Sequence, residues 1–308
     1  MTVTPFTADR ASVDEDAIRS LVAALLDDGV YRLAACGNTG EYYALTATER
    51  RRVASVTVEA AGEYRSGSEA ALVVVGVGGA PADAAAEARH AAEAGADAVM
   101  VHHPANPHIT SDGLVAYCRV IAEASPLPLI PYLRSAVLDA DGVRRLADID
   151  GVVAVKYAVN DLPAFAAAVD ATRDRPELRW ICGSAERWAP FFWAAGAVGF
   201  TSGLVNVTAA PALAMLAALE RGDREAAMRI WALVERFERL RALSADGHNV
   251  AVVKAAMRRV GRPAGPVRAP ASEVTRADEE AIASILRSWQ AIERPPRAEV
   301  TEPASVSA

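Results

Sequence analysis

The sequence contains very little lysine. Of its 32 basic residues only Lys156 and Lys254 are lysines, so the other 30 (32 − 2) are arginines. Arginine cannot lose its proton at any working pH, whereas a lysine removed from water can, and only the neutral amine is a nucleophile. A position at which this chain keeps a lysine is therefore a candidate for amine chemistry.

Other shortages exclude whole classes of protein. The three cysteines, Cys36, Cys118 and Cys182, are far apart and without C-x-x-C spacing, which argues against a disulfide framework or a zinc knuckle. The sequence has no apolar run of the roughly 18 uncharged residues that a membrane span needs, and its start does not resemble a secretory signal. The net charge of −7 argues against nucleic acid or an anionic membrane as the main partner. We predict a cytoplasmic protein that binds small molecules.

Short apolar runs alternate with alanine-rich helical patterns from the first residue to about residue 220. The candidate strands number eight and lie at residues 1–5, 31–36, 71–77, 97–103, 128–132, 152–157, 179–184 and 197–203. The helical patterns between them start at acidic or Ser/Thr residues, and glycine lies near several of their ends. Alternation of this length gives parallel strands with right-handed crossovers, and eight such units predict a (β/α)8 barrel.

A doubly wound open sheet is the alternative fold. Its nucleotide-binding fingerprint is missing, because the stretch GVGGAP ends in Pro81 where G-x-G-x-x-G needs its last glycine, and G-K-[ST] does not occur. Beyond residue 221 the strand patterns stop and three helical patterns follow. We therefore predict a barrel that carries the active site, a small C-terminal helical appendage and a disordered tail, at residues 1–221, 222–294 and 295–308.

Two candidate catalytic residues close neighbouring predicted strands, at the end of the barrel where active sites lie. Lys156 lies near the end of the sixth strand. Burial inside the barrel would lower the pKa of its amine from about 10.4 to about 7, whereas a lysine that reaches the rim or pairs with a carboxylate would stay charged. Tyr132 closes the fifth strand, and a phenol beside an imine can relay protons.

A third feature, the stretch CGNTGEYYALT, directly follows the second predicted strand. Gly37 and Gly40 frame Asn38 and Thr39 in this stretch. Glycines at these places let successive backbone N–H groups and the threonine hydroxyl converge, which suits a carboxylate. An isolated G-x-x-G is an ordinary turn, so the position at a strand end is what favours a binding site.

The combination of GNTGE, Tyr132, Lys156 and GFTSGLVN at the eighth strand resembles the dihydrodipicolinate synthase and N-acetylneuraminate lyase superfamily. The likeness runs from VTPF near the start through VKAAMRRVG to GPVRAP. It implies a Schiff-base lyase acting on pyruvate or another 2-oxo acid. By this resemblance Lys156 forms the imine and Tyr132 relays protons. Gly37, Asn38 and Thr39 hold the carboxylate, and Thr39 hydrogen-bonds Tyr132. The resemblance also implies a homotetramer, and no cofactor beyond the lysine is expected.

Two departures from the family pattern bear on the substrate. Members that make dihydrodipicolinate carry Y-N-x-P-x-R after the fifth strand, but residues 132–138 read YLRSAVL, without that proline or that arginine. This stretch is more similar to the Y-N-R-D-N-A-V-L of 5-dehydro-4-deoxyglucarate dehydratases, with Arg134 in the matching place. Second, Ala105 and Asn106 replace the family's aromatic pair after the fourth strand, so the tyrosine that a neighbouring subunit normally lends to the proton relay is missing.

Further polar residues lie at other strand ends. Ser184, Glu186 and Asn206 are candidates to bind sugar hydroxyls, with loop capping as the alternative.

The only histidine cluster of the sequence comprises His102, His103 and His108. Metal ligation there would suggest a metal-dependent aldolase. Adjacent residues on a strand face opposite sides, however, so structural or substrate-contacting histidines are favoured. Lys254 lies in a helical pattern beyond the barrel and is expected to be structural.

These residues predict a lyase in which Lys156 condenses with the 2-oxo group of a 3-deoxy sugar acid, such as 5-dehydro-4-deoxyglucarate, and water then leaves, with or without loss of CO2. Retro-aldol cleavage shares the early intermediates and stays open. So does the reverse direction, the condensation of pyruvate with an aldehyde that a 4-hydroxy-tetrahydrodipicolinate synthase catalyses. A non-catalytic 2-oxo-acid binder is the remaining alternative, because the lent tyrosine is missing.

Overall fold

The protein folds as a (β/α)8 barrel followed by C-terminal helices, in a computed structural model that describes residues 1–64 and 70–289. Each strand pairs in parallel with the next one along the chain, in a single curled sheet. The strands are β1 (Arg32–Ala35), β2 (Leu72–Val77), β3 (Ala98–Val101), β4 (Leu129–Leu133), β5 (Ala154–Tyr157), β6 (Arg179–Cys182) and β7 (Gly199–Phe200). They match the second to eighth predicted strands.

Helices follow the strands in the predicted order. The α-helices of the described residues are α1 (Glu15–Asp27), α2 (Ala47–Glu63), α3 (Pro81–Glu93), α4 (Ser111–Ala124), α5 (Ala140–Ala147), α6 (Leu162–Ala171), α7 (Ala185–Ala194), α8 (Ala210–Glu220), α9 (Arg224–Arg241), α10 (Asn249–Arg259) and α11 (Arg276–Trp289). Side chains fix several starts: Asp14 accepts from the N–H of Ala17, and Thr46 forms a capping box with Glu49.

Residues 1–5, the first predicted strand, do not form a regular strand. Their backbone is mostly buried, and Thr2 N–H donates to the Ala34 carbonyl of β1 at 3.0 Å. On the other side the Asn206 side chain replaces a strand backbone, because Val3 N–H donates to its Oδ1 at 3.0 Å and its Nδ2 donates to the Met1 carbonyl at 2.8 Å. The segment thus lies between β1 and the residues after β7. The prediction of eight strands is wrong at this one position.

The C-terminal helices pack on one end of the barrel. Helix α9 packs against α7 and α8, and α10 packs against α9, α11 and a short 3-10 helix at Leu204–Asn206. The rings of Phe237 and Trp289 meet edge to face at 5.1 Å and join α9 to α11. The predicted appendage is therefore present. Its boundary at residues 221 and 222 stays a prediction, and the predicted tail, 295–308, lies outside the described residues.

The three cysteines are free thiols buried in the fold. Within residues 1–64 and 70–289, every helix is too short or too polar to cross a membrane.

Candidate active site

Lys156 lies inside the barrel near the carboxyl end of β5, where only 3% of its surface is exposed. Its Nζ lies 3.9 Å from the centre of the Tyr132 ring and 3.7 Å from Met100 Sδ. Among the described side chains, no carboxylate forms an ion pair with it. Burial and, second, the positive charge of Arg134 lower the pKa of Lys156 to about 7. A large share of this amine is therefore neutral near pH 7 and available as a nucleophile.

Tyr132 lies on β4 directly beside Lys156, because the two residues are register partners of adjacent parallel strands. Burial raises the pKa of Tyr132 to about 12, so its phenol is protonated near pH 7. Asn38 Nδ2 donates to the phenol oxygen across a long 3.4 Å. Among the described residues Asn38, and not the Thr39 that the resemblance implied, forms the hydrogen bond to this phenol.

The loop after β1 is held at both ends by backbone in the left-handed region. Cys36 has φ 54° and Glu41 has φ 56°, backbone conformations that residues other than glycine rarely adopt. His102 Nε2 lies 2.8 Å from the Cys36 carbonyl, and Lys254 forms an ion pair with Glu41 at 2.6 Å. The loop between them is thus anchored from β3 on one side and from α10 on the other.

This anchored loop presents polar groups to the active-site cavity. Asn38 and Thr39 line the cavity, and within the described residues their backbone N–H groups donate to no protein acceptor. Successive free N–H groups beside a threonine hydroxyl form a suitable receptor for a carboxylate. Carboxylate binding by this stretch stays a prediction, and Asn38 and Thr39 lie where it requires them.

The cavity next to Lys156 has a volume of about 150 Å³, room for on the order of ten water molecules. Its walls come from two sources. The barrel contributes Met1, Asn38, Thr39, Tyr132, Arg134, Lys156, Asn160, Gly183, Ser184, Arg187, Trp188, Thr201 and Gly203, and helices α9 and α10 with the turn between them contribute Glu238, Arg241, Ala242, Asp246 and Asn249. A cavity of this size suits a small organic acid.

Two of the predicted substrate-side residues line the cavity. Arg134 follows β4 directly, and its Nη2 lies 3.9 Å from Asp246 Oδ2. Ser184 follows β6, and its hydroxyl donates to Asn160 Oδ1 at 2.8 Å. Both side chains remain half-exposed to the cavity or to solvent, so a ligand can reach them.

The structure does not bring the other two, Glu186 and Asn206, to the cavity. Both side chains are fully buried behind its wall. Glu186 accepts a short hydrogen bond from Ser202, and burial together with the nearby Glu238 raises the pKa of Glu186 to about 7. Asn206 is occupied by the backbone of residues 1–3. Direct contact of either side chain with a sugar hydroxyl is therefore not supported by this arrangement.

The histidines of the predicted cluster turn to different partners. The ring of His102 stacks on Tyr42 at 4.2 Å and is buried, whereas His103 is half-buried and its Nε2 lies 3.0 Å from Ser135 Oγ. Burial lowers the pKa of His102 to about 4, so its imidazole is neutral. Of the described residues, no three His, Cys, Asp or Glu side chains are grouped as metal ligands would be.

Sequence reasoning missed the cavity wall formed by α9 and α10. Arg241 reaches over Gly203, where an added Cβ would lie 2.5 Å from its Nη2. The guanidinium donates to Glu238 Oε1 at 2.6 Å and to Asn249 Oδ1 at 2.6 Å. Gly203, in the stretch GFTSGLVN, can be read in the sequence. Its partner Arg241 lies on α9, and no sequence pattern places that helix next to Gly203. That glycine was the one available signal.

A buried, unpaired lysine beside a protonated phenol inside a (β/α)8 barrel defines a class of barrel enzymes with a nucleophilic amine. Within this class, the chain belongs to the dihydrodipicolinate synthetase family, whose model matches residues 1–289. The predicted family is confirmed. Membership also supports the coarser functional prediction, an enzyme of the lyase and aldolase type, and leaves its particular reaction open.

Relatives with different names match the chain over most of its length. It is 36% identical over 291 residues to a probable 5-dehydro-4-deoxyglucarate dehydratase 2 of Streptomyces coelicolor, covering 92% of this chain and 86% of the relative. It is 30% identical over 289 residues to a 4-hydroxy-tetrahydrodipicolinate synthase of Methanothrix thermoacetophila, covering 92% and 93%. The solved dihydrodipicolinate synthase of Bacillus clausii superposes with a TM-score of 0.88 at 41% identity, covering 93% of this chain and 95% of that one.

Proposed function

We propose that the protein is a Schiff-base lyase that removes water from a 2-oxo-3-deoxy sugar acid such as 5-dehydro-4-deoxyglucarate. The observation that carries the proposal is the state of Lys156, a buried amine with a pKa of about 7 and a phenol ring at 3.9 Å. Such an amine attacks a ketone without first having to lose a proton to a separate strong base.

The substrate binds with its C1 carboxylate on the loop after β1. The carboxylate oxygens accept hydrogen bonds from the backbone N–H groups of Asn38 and Thr39 and from the Thr39 hydroxyl. This binding mode places the 2-oxo carbon toward Lys156. This orientation is supported by the free N–H groups of the loop and by its position on the same cavity as the amine.

The reaction then proceeds through an imine. The neutral Lys156 amine adds to C2, and the carbinolamine loses water as the Tyr132 phenol passes the proton that the departing hydroxyl needs. The protonated imine withdraws electrons, and the Tyr132 phenolate left by the preceding step accepts a proton from C3. The resulting enamine expels the C4 hydroxyl, which takes that proton from Tyr132 and leaves as water. Hydrolysis of the imine consumes one water, returns the free amine and releases the dehydrated acid. A dehydratase that also loses CO2 would need one further step at the same imine.

Dehydration is favoured by the residues after β4. Arg134 lines the cavity, and its stretch is similar to that of the dehydratases. A second candidate, condensation of pyruvate with an aldehyde as in a 4-hydroxy-tetrahydrodipicolinate synthase, is supported by the 41% identity to the Bacillus clausii enzyme. Residues 132–138, YLRSAVL, lack the proline and the final arginine of Y-N-x-P-x-R, which argues against condensation. Retro-aldol cleavage uses the same imine and is distinguished only by its products.

Borohydride reduction tests the imine directly. The protein is treated with sodium borohydride in the presence of pyruvate, and the intact mass is measured, followed by peptide mapping. We expect one added pyruvate per chain, on Lys156, and none on Lys254. A Lys156→Arg variant serves as the matched control and should gain no mass. An adduct on another residue, or none on the wild type, would exclude the proposed mechanism.

Turnover identifies the reaction. A panel of 2-oxo-3-deoxy acids is assayed for loss of water by mass spectrometry and for release of pyruvate, and pyruvate with aspartate semialdehyde is assayed for condensation. We expect dehydration. Tyr132→Phe should lower kcat by about 100- to 1000-fold, since it removes the proton relay. Pyruvate release or condensation would replace dehydration by the corresponding alternative, and trapping without any turnover would indicate a binder.

We also infer a homo-oligomer. The support is a groove of about 910 Å³ with an apolar rim, in which Tyr43 is 55% exposed and Pro104, Pro107 and Ile109 take part. A second copy of the chain would cover these residues. Light scattering coupled to size exclusion checks the assembly, and a monomer at micromolar concentration would contradict it.

A further inference from the structure

Arg134 and Asp246 face each other across the active-site cavity. Arg134 comes from the barrel, two residues beyond Tyr132, and Asp246 comes from the turn between α9 and α10. Their closest atoms are 3.9 Å apart and form an ion pair without a hydrogen bond, and both side chains are partly exposed. The pair is therefore loose, and a carboxylate with better geometry can displace Asp246 from the guanidinium.

The turn that carries Asp246 is held in an unusual conformation. Ser244, Ala245 and Asp246 have φ values of 55°, 52° and 68°, so three consecutive residues other than glycine lie in the left-handed region. Each such residue is disfavoured by sterics and persists where the surrounding structure imposes it. The carboxylate of Asp246, the third of these residues, lies 3.9 Å from the Arg134 guanidinium.

The remaining cations of the cavity are placed differently. Arg241 is already occupied, because its guanidinium is bonded to Glu238 and Asn249. Arg187 also lines the cavity, but Arg134 is the arginine whose charge acts on Lys156, as the second cause of its lowered pKa. Because Arg134 and Lys156 line one cavity of about 150 Å³, an anion bound at Arg134 and an imine on Lys156 can belong to the same small molecule.

We propose that Asp246 acts as an internal carboxylate that occupies Arg134 in the free enzyme and is displaced by a second carboxylate at the far end of the substrate. The site would then select 2-oxo acids that carry a terminal carboxylate over those that end in an uncharged group. Between turnovers Asp246 limits the occupation of Arg134 by simple anions. This inference rests on the proposed function, because it concerns the far end of the same substrate whose 2-oxo group forms the imine with Lys156.

The test compares two six-carbon acids that form the same imine, 2-oxoadipate with a terminal carboxylate and 2-oxohexanoate with a terminal methyl group. Borohydride trapping is measured against concentration for each. In the wild type we expect 2-oxoadipate to half-saturate trapping at a concentration lower by about tenfold or more, as for one charge-assisted contact.

Substitutions test whether Arg134 contacts the terminal carboxylate and whether Asp246 competes with it. Arg134→Gln should remove the difference between the two acids, while 2-oxohexanoate still forms its adduct. Asp246→Asn should lower the half-saturating concentration of 2-oxoadipate about threefold, since the competing anion is gone, and make trapping more sensitive to added sulfate. Arg144→Gln is the control for loss of an arginine, because Arg144 is paired with Asp174 at 2.8 Å and does not line the cavity.

The outcomes separate this inference from the proposed function. Equal half-saturation by the two acids in the wild type would overturn the inference and leave the imine intact. A difference that disappears in Arg187→Gln and persists in Arg134→Gln would overturn it as well. If Asp246→Asn weakens the binding of 2-oxoadipate, Asp246 is a support for Arg134 and not a competitor. A wild type that forms no adduct with any 2-oxo acid would overturn the proposed function, and the inference with it.

Discussion

The surroundings of the two lysines of this chain differ although both are buried. Lys254, with 0% exposure, has its Nζ 2.6 Å from Glu41 and donates to the Pro266 carbonyl at 2.8 Å. Lys156, with 3% exposure, is next to an aromatic ring and a thioether and forms no ion pair among the described residues. Burial lowers the pKa of both amines, but Glu41 opposes the shift at Lys254. A missing carboxylate partner, more than burial, distinguishes Lys156 from Lys254.

The two lysines nevertheless support the same site. Lys254 holds Glu41, whose left-handed backbone ends the loop that carries Asn38 and Thr39. The Lys254–Glu41 ion pair thus holds the loop, and the proposed function assigns the chemistry to the uncharged Lys156 amine. Replacing either lysine, or measuring the pKa of Lys156, tests this difference between the two residues.

The largest effect is expected from loss of the Lys156 amine. Lys156→Arg keeps a cation but has no nucleophilic nitrogen near neutral pH, so kcat should fall on the order of 10⁴-fold or more. Steady-state turnover of the acid that the substrate panel identifies, normalised to folded protein by circular dichroism, measures the change. Activity within tenfold of the wild type would contradict the assigned role of Lys156.

A large loss of stability, in contrast, is expected at Lys254. Lys254→Met leaves Glu41 buried and unpaired, which should lower the free energy of unfolding by about 3–5 kcal/mol. Urea unfolding followed by tryptophan fluorescence measures it. Lys156→Met is the matched control, expected within about 1 kcal/mol of the wild type or above it, because no carboxylate is left without a partner. Equal losses in both variants would remove the distinction between the two lysines.

The smallest effect is a change in pH dependence. Because the reactive form of Lys156 is neutral, the initial rate of borohydride trapping with pyruvate should rise about tenfold per unit of pH below the pKa and level off above it. The expected midpoint is the lowered pKa, about 7. Arg134→Gln removes a cation that disfavours the protonated amine, so the midpoint should move to higher pH. A midpoint near that of free lysine would show that the amine is not desolvated.

The repeating pattern of strands and helices predicted the fold well because each unit has its own local signal. Alternating apolar runs and capping residues such as Asp14 and Thr46 are readable in one sequence. Residues 1–5 were predicted as a strand from their composition. Their partner on one side is the side chain of Asn206, more than 200 positions away, and no local pattern shows such a substitute for a strand.

The site was predictable where it follows a strand and not where it depends on tertiary packing. Tyr132 and Lys156 close adjacent strands, so their proximity follows from the parallel register. Glu186 also follows a strand, but its side chain lies in the interior, where Ser202 donates a hydrogen bond to it. The contribution of Asp246 depends on how α9 and α10 lie over the barrel, which periodicity does not specify.

The cavity wall comes partly from the barrel and partly from α9, α10 and the turn between them, and these two parts differ in how easily they can change. The amine and the phenol are fixed by strands that also form the interior of the fold, where replacement is costly. The opposite wall comes from a turn and two helix ends, where substitutions disturb fewer neighbours. Gene copies of this chain can therefore change the residues around 238–249, and with them the shape of the cavity, while Lys156 and Tyr132 stay in place.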